Sequence, residues 1–186
     1  MTRTTYYTAT TLDGFIADPH DSLDWLFTQD VDGTGPFNYD EFIARIGAIV
    51  MGSTTYEWIL RHNAETGDPW GYSIPSWVMT HRDLAPVPGA DVRFARGEVA
   101  TVHAEMVGAA GGRDLWVVGG GDLAGQFADL GLLDQIILSI APVTLGAGRP
   151  LFPRQHDLKL VELDRNGDFA VATYDVVGPR AAQNSS

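Results

Sequence analysis

Apolar and polar positions follow two different periods along this chain. Thr4 to Thr10 is rich in Thr and Tyr, residues suited to the half-buried surface of a strand. Gly47 to Met51, Asp114 to Val118 and Asp134 to Ala141 are short apolar runs of the kind found in buried strands, with Ser76 to Thr80 and a weaker Asp91 to Ala95 beside them. Between Glu98 and Ala110, Val99, Val102, Met106, Val107 and Ala110 recur at helical spacing, and Gly111-Gly112 stops the helix. Tyr39 to Ile46 also reads as helical. Ser53 is placed to cap a helix running to about Leu60, and Leu123 to Leu130 forms a shorter one. Thr11 to Ser22 and His62 to Ile74 read as loops. Leu158 to Leu163 and Phe169 to Val177 flank Arg165-Asn166-Gly167, a hairpin signal.

This alternation predicts an α/β fold: a mainly parallel central sheet flanked by helices on both faces, with an antiparallel C-terminal hairpin. Residues 1–178 read as a single domain, and residues 179–186 as a polar, disordered tail. In sheets of this kind ligands sit at the carboxyl ends of the strands. Three corners fall at such ends: Gly52-Ser53-Thr54-Thr55, Thr80-His81-Arg82, and Gly119-Gly120-Gly121-Asp122.

Composition narrows the partners. The formal net charge is −12, which disfavours nucleic acid and anionic membranes. No apolar run is long enough to span a bilayer. The absence of cysteine excludes disulfides and thiolate chemistry and fits a cytoplasmic protein. The five histidines have no metal-ligand spacing, so no metal site is expected. No nucleophile elbow or Walker loop is present.

An acidic chain that binds phosphate must supply its own local donors. Gly119-x-Gly121-x-x-Ala124 follows a strand and opens a helix, which suits either a tight turn or close backbone approach to a pyrophosphate. Its late position argues against an ordinary Rossmann domain. Gly52 to Thr55 either caps a helix or binds phosphate oxygens. Arg82, helped by His81, is either a solvated charge or a clamp for a 2′-phosphate, with Arg93 and Arg96 poorer candidates. Asp13 sits in a turn after the first strand and either closes an Asx turn or contacts substrate. Asp24 and Trp25 either line a pocket or serve as a cap and a buried aromatic. Asp13 and Asp24 are the catalytic candidates, and Trp25 and Tyr56 the substrate candidates.

Four stretches in order resemble the dihydrofolate-reductase-like superfamily, and within it the C-terminal reductase domain of riboflavin-biosynthesis deaminase-reductases in stand-alone form. They are Thr11 to Ala17, Ile49 to Glu57, Leu115 to Leu123, and Leu132 to Val143 with Leu145-Gly146. The resemblance implies an NADPH-dependent reductase of the 5-amino-6-(5-phosphoribosylamino)uracil reductase type, transferring a hydride to a small heterocyclic or carbonyl substrate. It implies that Gly52, Ser53, Thr54 and Thr55 contact phosphates, and that Thr80, His81 and Arg82 surround the adenosine ribose and its 2′-phosphate. It also implies that Val118, Gly119, Gly120, Gly121, Asp122 and Leu123 lie along the nicotinamide and pyrophosphate, with Ala9 and Ile16 near the nicotinamide. A homodimer through Gln135 to Ala141 or the closing hairpin is a further implication.

Two departures bear on the substrate. The position of the folate reductases' helix carboxylate aligns near Pro36 to Asn38, where none stands; Asp40 and Glu41 lie later. Tyr6-Tyr7-Thr8 lacks the first-strand lysine of the riboflavin reductases. Dihydrofolate reductase activity, and a non-catalytic nucleotide-binding or oligomerising role, therefore stand as alternatives.

Overall fold

The computed structural model describes residues 2–181, and residues 182–186 of the expected tail lie outside it. Strands β1 (Thr4–Thr11), β3 (Ile46–Gly52), β4 (Ser76–Met79), β5 (Val92–Ala95), β6 (Asp114–Gly119) and β7 (Gln135–Ala141) pair in parallel. The hairpin β9 (His156–Asn166) and β10 (Phe169–Pro179) joins antiparallel against β7. The eight strands run in the order β5-β4-β3-β6-β1-β7-β10-β9. The carboxyl ends of all six parallel strands therefore share one rim.

Helices cover both faces, as the strand alternation requires. In β3, Ala48 and Val50 face α4 (Val99–Ala109) and α5 (Gly121–Asp129), in a core with Met106, Phe127 and Tyr6. Ile49 and Met51 face the opposite way, toward α2 (Tyr39–Ala44) and α3 (Ser53–Thr66), where Phe42, Tyr56 and Trp116 pack.

Several boundaries differ from the sequence reading. Helix α3 continues to Thr66, and Gly67 ends it in the left-handed conformation. Residues 61–66 are mostly polar and solvent-facing, so no apolar period marks them. Ser53 is the first helical residue and Gly52 the cap position. The loop after β1 holds a short strand β2 (Phe15–Ala17) and a single-turn helix α1 (Asp24–Phe27); β2 pairs with β8 (Arg149–Pro150). The expected tail begins too early: Pro179 pairs with His156, and the Arg180 N–H donates to the Gln155 carbonyl at 2.9 Å. Strand β7 lies between β1 and β10, so it offers no free edge; the hairpin's β9 forms the sheet edge and exposes Leu158, Leu160 and Leu163.

One core contact carries a pH prediction. His103 on α4 shares a 3.0 Å hydrogen bond with the Thr4 hydroxyl and meets Phe127 edge-on. Burial lowers its pKa, partly opposed by Asp134. The native state therefore binds the proton less readily than the unfolded chain does. The stability from neutral His103 is complete above about pH 6.5 and falls as the pH drops through the folded value. Chemical denaturation of His103→Gln is expected to show a shallower loss of stability below that pH than wild type.

Candidate functional site

At the rim, the carboxyl ends of β1, β3 and β6 open into a cleft of about 550 Å³. Thr8 and Val118 form its floor. Gly52 to Thr55 and Trp58 line it from the end of β3, Ile16, Ala17, Arg149 and Pro150 from the segments after β1 and β7, and Gly119 to Leu123 from the end of β6. A second hollow of about 410 Å³, lined by Thr80, His81, Arg82 and Arg96, continues from it. Ser53, Met79, Leu123 and Gln126 border both, so the two form one groove.

The three expected corners, far apart in sequence, thus border one groove. Parallel pairing of β3 with β4 and β6 brings them to the same rim. Neither α3 nor α5 has a side-chain cap at its N-terminus. The first N–H groups of both helices are left without side-chain acceptors at the groove wall. Gly121 is there for packing: a Cβ would strike the carbonyls of Pro150 and Leu151. At Gly52 a Cβ would stand in open space, nearest the Gly119 carbonyl at 3.9 Å.

Other expected residues lie elsewhere. Ala9 faces the cluster of Trp25, Ala141, Phe169 and Val171, and its neighbour Thr8 faces the cleft. Successive side chains on a strand point to opposite faces, so a one-residue shift exchanges them. The Asp13 carboxylate accepts from the Thr11 hydroxyl at 2.5 Å, from Leu145 N–H at 3.0 Å and from Gly146 N–H at 2.7 Å. These bonds, Thr11 first, hold its pKa below the ordinary carboxylate value. Asp13 is therefore a clasp between loops and no proton donor. Asp24 is exposed at the head of α1, outside the cleft lining. Trp25 is buried in the core, and Tyr56 is fully buried with its hydroxyl donating to the Ala85 carbonyl at 2.7 Å. Neither touches the cleft, because each packs on the sheet side of its helix. Asp40 and Glu41 are also exposed and outside the lining.

Among the lining residues that were not anticipated are Thr8, Trp58, and the pair Asp21 and Arg149. Trp58 was legible, since it follows Thr54 by four residues and shares that helix face. Asp21 and Arg149 carry no such signal across 128 positions. The Arg149 guanidinium donates to the Asp21 carboxylate through Nε at 2.6 Å and Nη2 at 3.1 Å. Arg96 shares the second hollow with Arg82 and pairs with Asp83, whereas Arg93 pairs with Asp91 and lies over the Trp77 ring. Asp122, on the first turn of α5, has a lowered pKa from its bonds to Gln126 and Arg154.

The sheet order, the two-faced helix layers and the closing hairpin define a dihydrofolate-reductase-like fold of the riboflavin-pathway reductase kind. Residues 71–171 match the RibD C-terminal domain, and the chain belongs to that family. It is 29% identical over 154 residues to YwjB, a Bacillus subtilis protein of uncharacterised function, covering 81% of this chain and 82% of that one. A candidate riboflavin biosynthesis protein of Shewanella sp. PV-4 superposes with a TM-score of 0.79 at 24% identity, over 94% of this chain and 98% of that one. Acinetobacter baumannii RibD superposes with a TM-score of 0.66 at 16% identity, over 95% of this chain and 58% of that longer one. At these identities the structural likenesses speak for the fold alone.

Among the described residues, no helix is long and apolar enough to cross a membrane, and no cluster of His, Asp and Glu could hold a metal.

Proposed function

We propose that the chain is an NADPH-dependent reductase that transfers a hydride to a small heterocyclic or carbonyl substrate. The observation that carries this reading is the single groove bordered by two uncapped helix N-termini, with a cationic hollow at one end. Free N–H donors at the starts of α3 and α5 fit a pyrophosphate. Arg82 and Arg96 fit a 2′-phosphate, which an otherwise acidic surface would repel. The open space at Gly52 lets a ligand approach the backbone.

When bound, the reduced nicotinamide supplies the hydride. The residues of this chain do the rest. Ser53 to Thr55 and Gly119 to Leu123 orient the cofactor, and positioning supplies much of the rate in such reactions. Ile16, Trp58 and Pro150 present apolar surface to the reacting ring. Both carboxylates in the lining, Asp21 and Asp122, are engaged by arginines. Neither is a free acid, so the proton on the product comes from water.

Gly52→Val tests the cradle. The backbone at Gly52 is extended and suits any residue, while the added methyls would project into the groove. Calorimetric titration is expected to show NADPH affinity falling at least tenfold, by loss of about 1.4 kcal/mol or more, with the melting temperature within a few degrees of wild type. Unchanged NADPH affinity would remove the groove from consideration.

A further inference from the structure

The cations of this groove are unevenly distributed. The second hollow holds Arg82 and Arg96. The main cleft has three charged groups among the described residues: Asp21, Asp122 and Arg149. Arg149 is held by Asp21 through two hydrogen bonds, and Asp122 is turned toward Arg154 and Gln126. Arg82 and Arg96 are paired as well, but their partners Glu57 and Asp83 do not line the hollow, whereas the main cleft sets one cation against two carboxylates in its own lining. A phosphate brought beside Arg149 would meet the Asp21 carboxylate. Taking Arg149 for itself would leave Asp21 unpaired at the same wall.

The wall opposite Arg149 is aromatic. Trp58 lines the cleft, and its ring lies parallel to His62 at 4.8 Å and to Phe27 at 6.3 Å. Phe27 and His62 are themselves parallel at 5.4 Å. Two helices set this array: Trp58 and His62 stand one helical turn apart on α3, and Phe27 stacks on them from the end of α1. The stack restricts the indole before any ligand arrives, which reduces the ordering cost of binding against it. Leu23, Ile16 and Pro150 add apolar lining, and Thr8, Ser53, Thr54, Thr55 and Gln126 are its uncharged polar residues.

Resting on the reductase reading above, we propose that the substrate is a flat, conjugated, unphosphorylated molecule bound against Trp58, and that Trp58 with the Asp21–Arg149 pair sets this specificity. In the reaction, a C=N or C=O carbon of the ring takes the hydride from the reduced nicotinamide. The adjoining nitrogen or oxygen takes a proton from water, and the cofactor leaves oxidised by two electrons. The Asp21–Arg149 pair closes the far wall and turns away anionic analogues.

The test compares 1,4-naphthoquinone with 1,4-naphthoquinone-2-sulfonate, the same flat carbonyl ring without and with a fixed anion. Calorimetric titrations are run on the full chain, both alone and saturated with NADP+. The chain has no cysteine, so quinone–thiol adducts do not intrude. The neutral quinone is expected to bind at least tenfold more tightly than the sulfonate. Trp58→Leu is expected to lose about tenfold for the neutral ring, the scale of one ring-on-ring contact, and Trp58→Phe to recover most of it. Equal or tighter binding of the sulfonate overturns the proposal. So does a Trp58→Leu protein that keeps its quinone affinity. If Trp58→Leu does not fold, the wild-type ratio and Trp58→Phe still decide the matter. A chain that binds no NADP+ but retains the quinone preference defeats the reductase reading and leaves the cleft's selectivity standing.

Discussion

Gly121→Ala is expected to destabilise the protein by about 3 kcal/mol, the upper range for overpacking, and to lower the melting temperature by roughly 10 °C. The new methyl would press on the carbonyls of Pro150 and Leu151. That segment has no room to retreat. The Leu151 N–H donates to the Gly14 carbonyl at 2.9 Å, and the Leu151 carbonyl accepts from the Tyr6 hydroxyl at 3.2 Å. Tyr6 is fully buried, so moving its acceptor strands a hydroxyl away from water. The same displacement shifts β8 and the Asp21–Arg149 wall against the start of α5. NADPH affinity should therefore fall together with stability. Gly52→Ala is the control, since its methyl enters open space. Thermal melts of the two variants check the claim, and equal melting temperatures would refute it.

Arg82→Ala is expected to weaken NADPH binding about 30-fold while changing NADH binding less than twofold. The estimate corresponds to losing about 2 kcal/mol, typical of hydrogen bonds to a charged group. In the structure Arg82 forks onto Glu57, with Nη2–Oε2 at 2.6 Å and Nη1–Oε1 at 3.1 Å. This pair is exposed and contributes little to stability. It does compete with a phosphate for the guanidinium. Glu57→Gln should therefore tighten NADPH binding several-fold, by removing both the competitor and a nearby negative charge. The preference for NADPH should shrink as salt is raised, because both arginines stand in solvent. Equal losses for both cofactors on Arg82→Ala would mean that Arg82 holds no 2′-phosphate.

Much of this architecture follows from local pattern. The interior strands β3, β6 and β7 were visible as apolar runs, because a strand covered on both faces is apolar on both, while β1 showed through its Thr and Tyr. The hairpin at Arg165-Asn166-Gly167 announced itself through turn chemistry. The corners at Gly52 and Gly119 were legible too, because a glycine between an apolar strand run and a helix start is a local signal. Patterns failed where structure rests on solvent or on distant partners. The second half of α3 is a polar helix with no apolar stripe to report it. Strands β2 and β8 are three and two residues long, and each exists only because the other is beside it.

Order along the chain was enough to determine a two-faced parallel sheet, the position of its cleft-bearing rim and the glycine corners on that rim, since each depends on neighbours within a few residues. Only the tertiary structure decided which side chains enter the groove. It turned Thr8 inward and Ala9 outward, withdrew Trp25 and Tyr56 into the core, and spent Asp13 on two backbone amides. It also joined Asp21 to Arg149 in the cleft lining. The reason is one of range: a side chain's facing depends on strand register and helix packing, and a charge's availability on partners more than a hundred residues away.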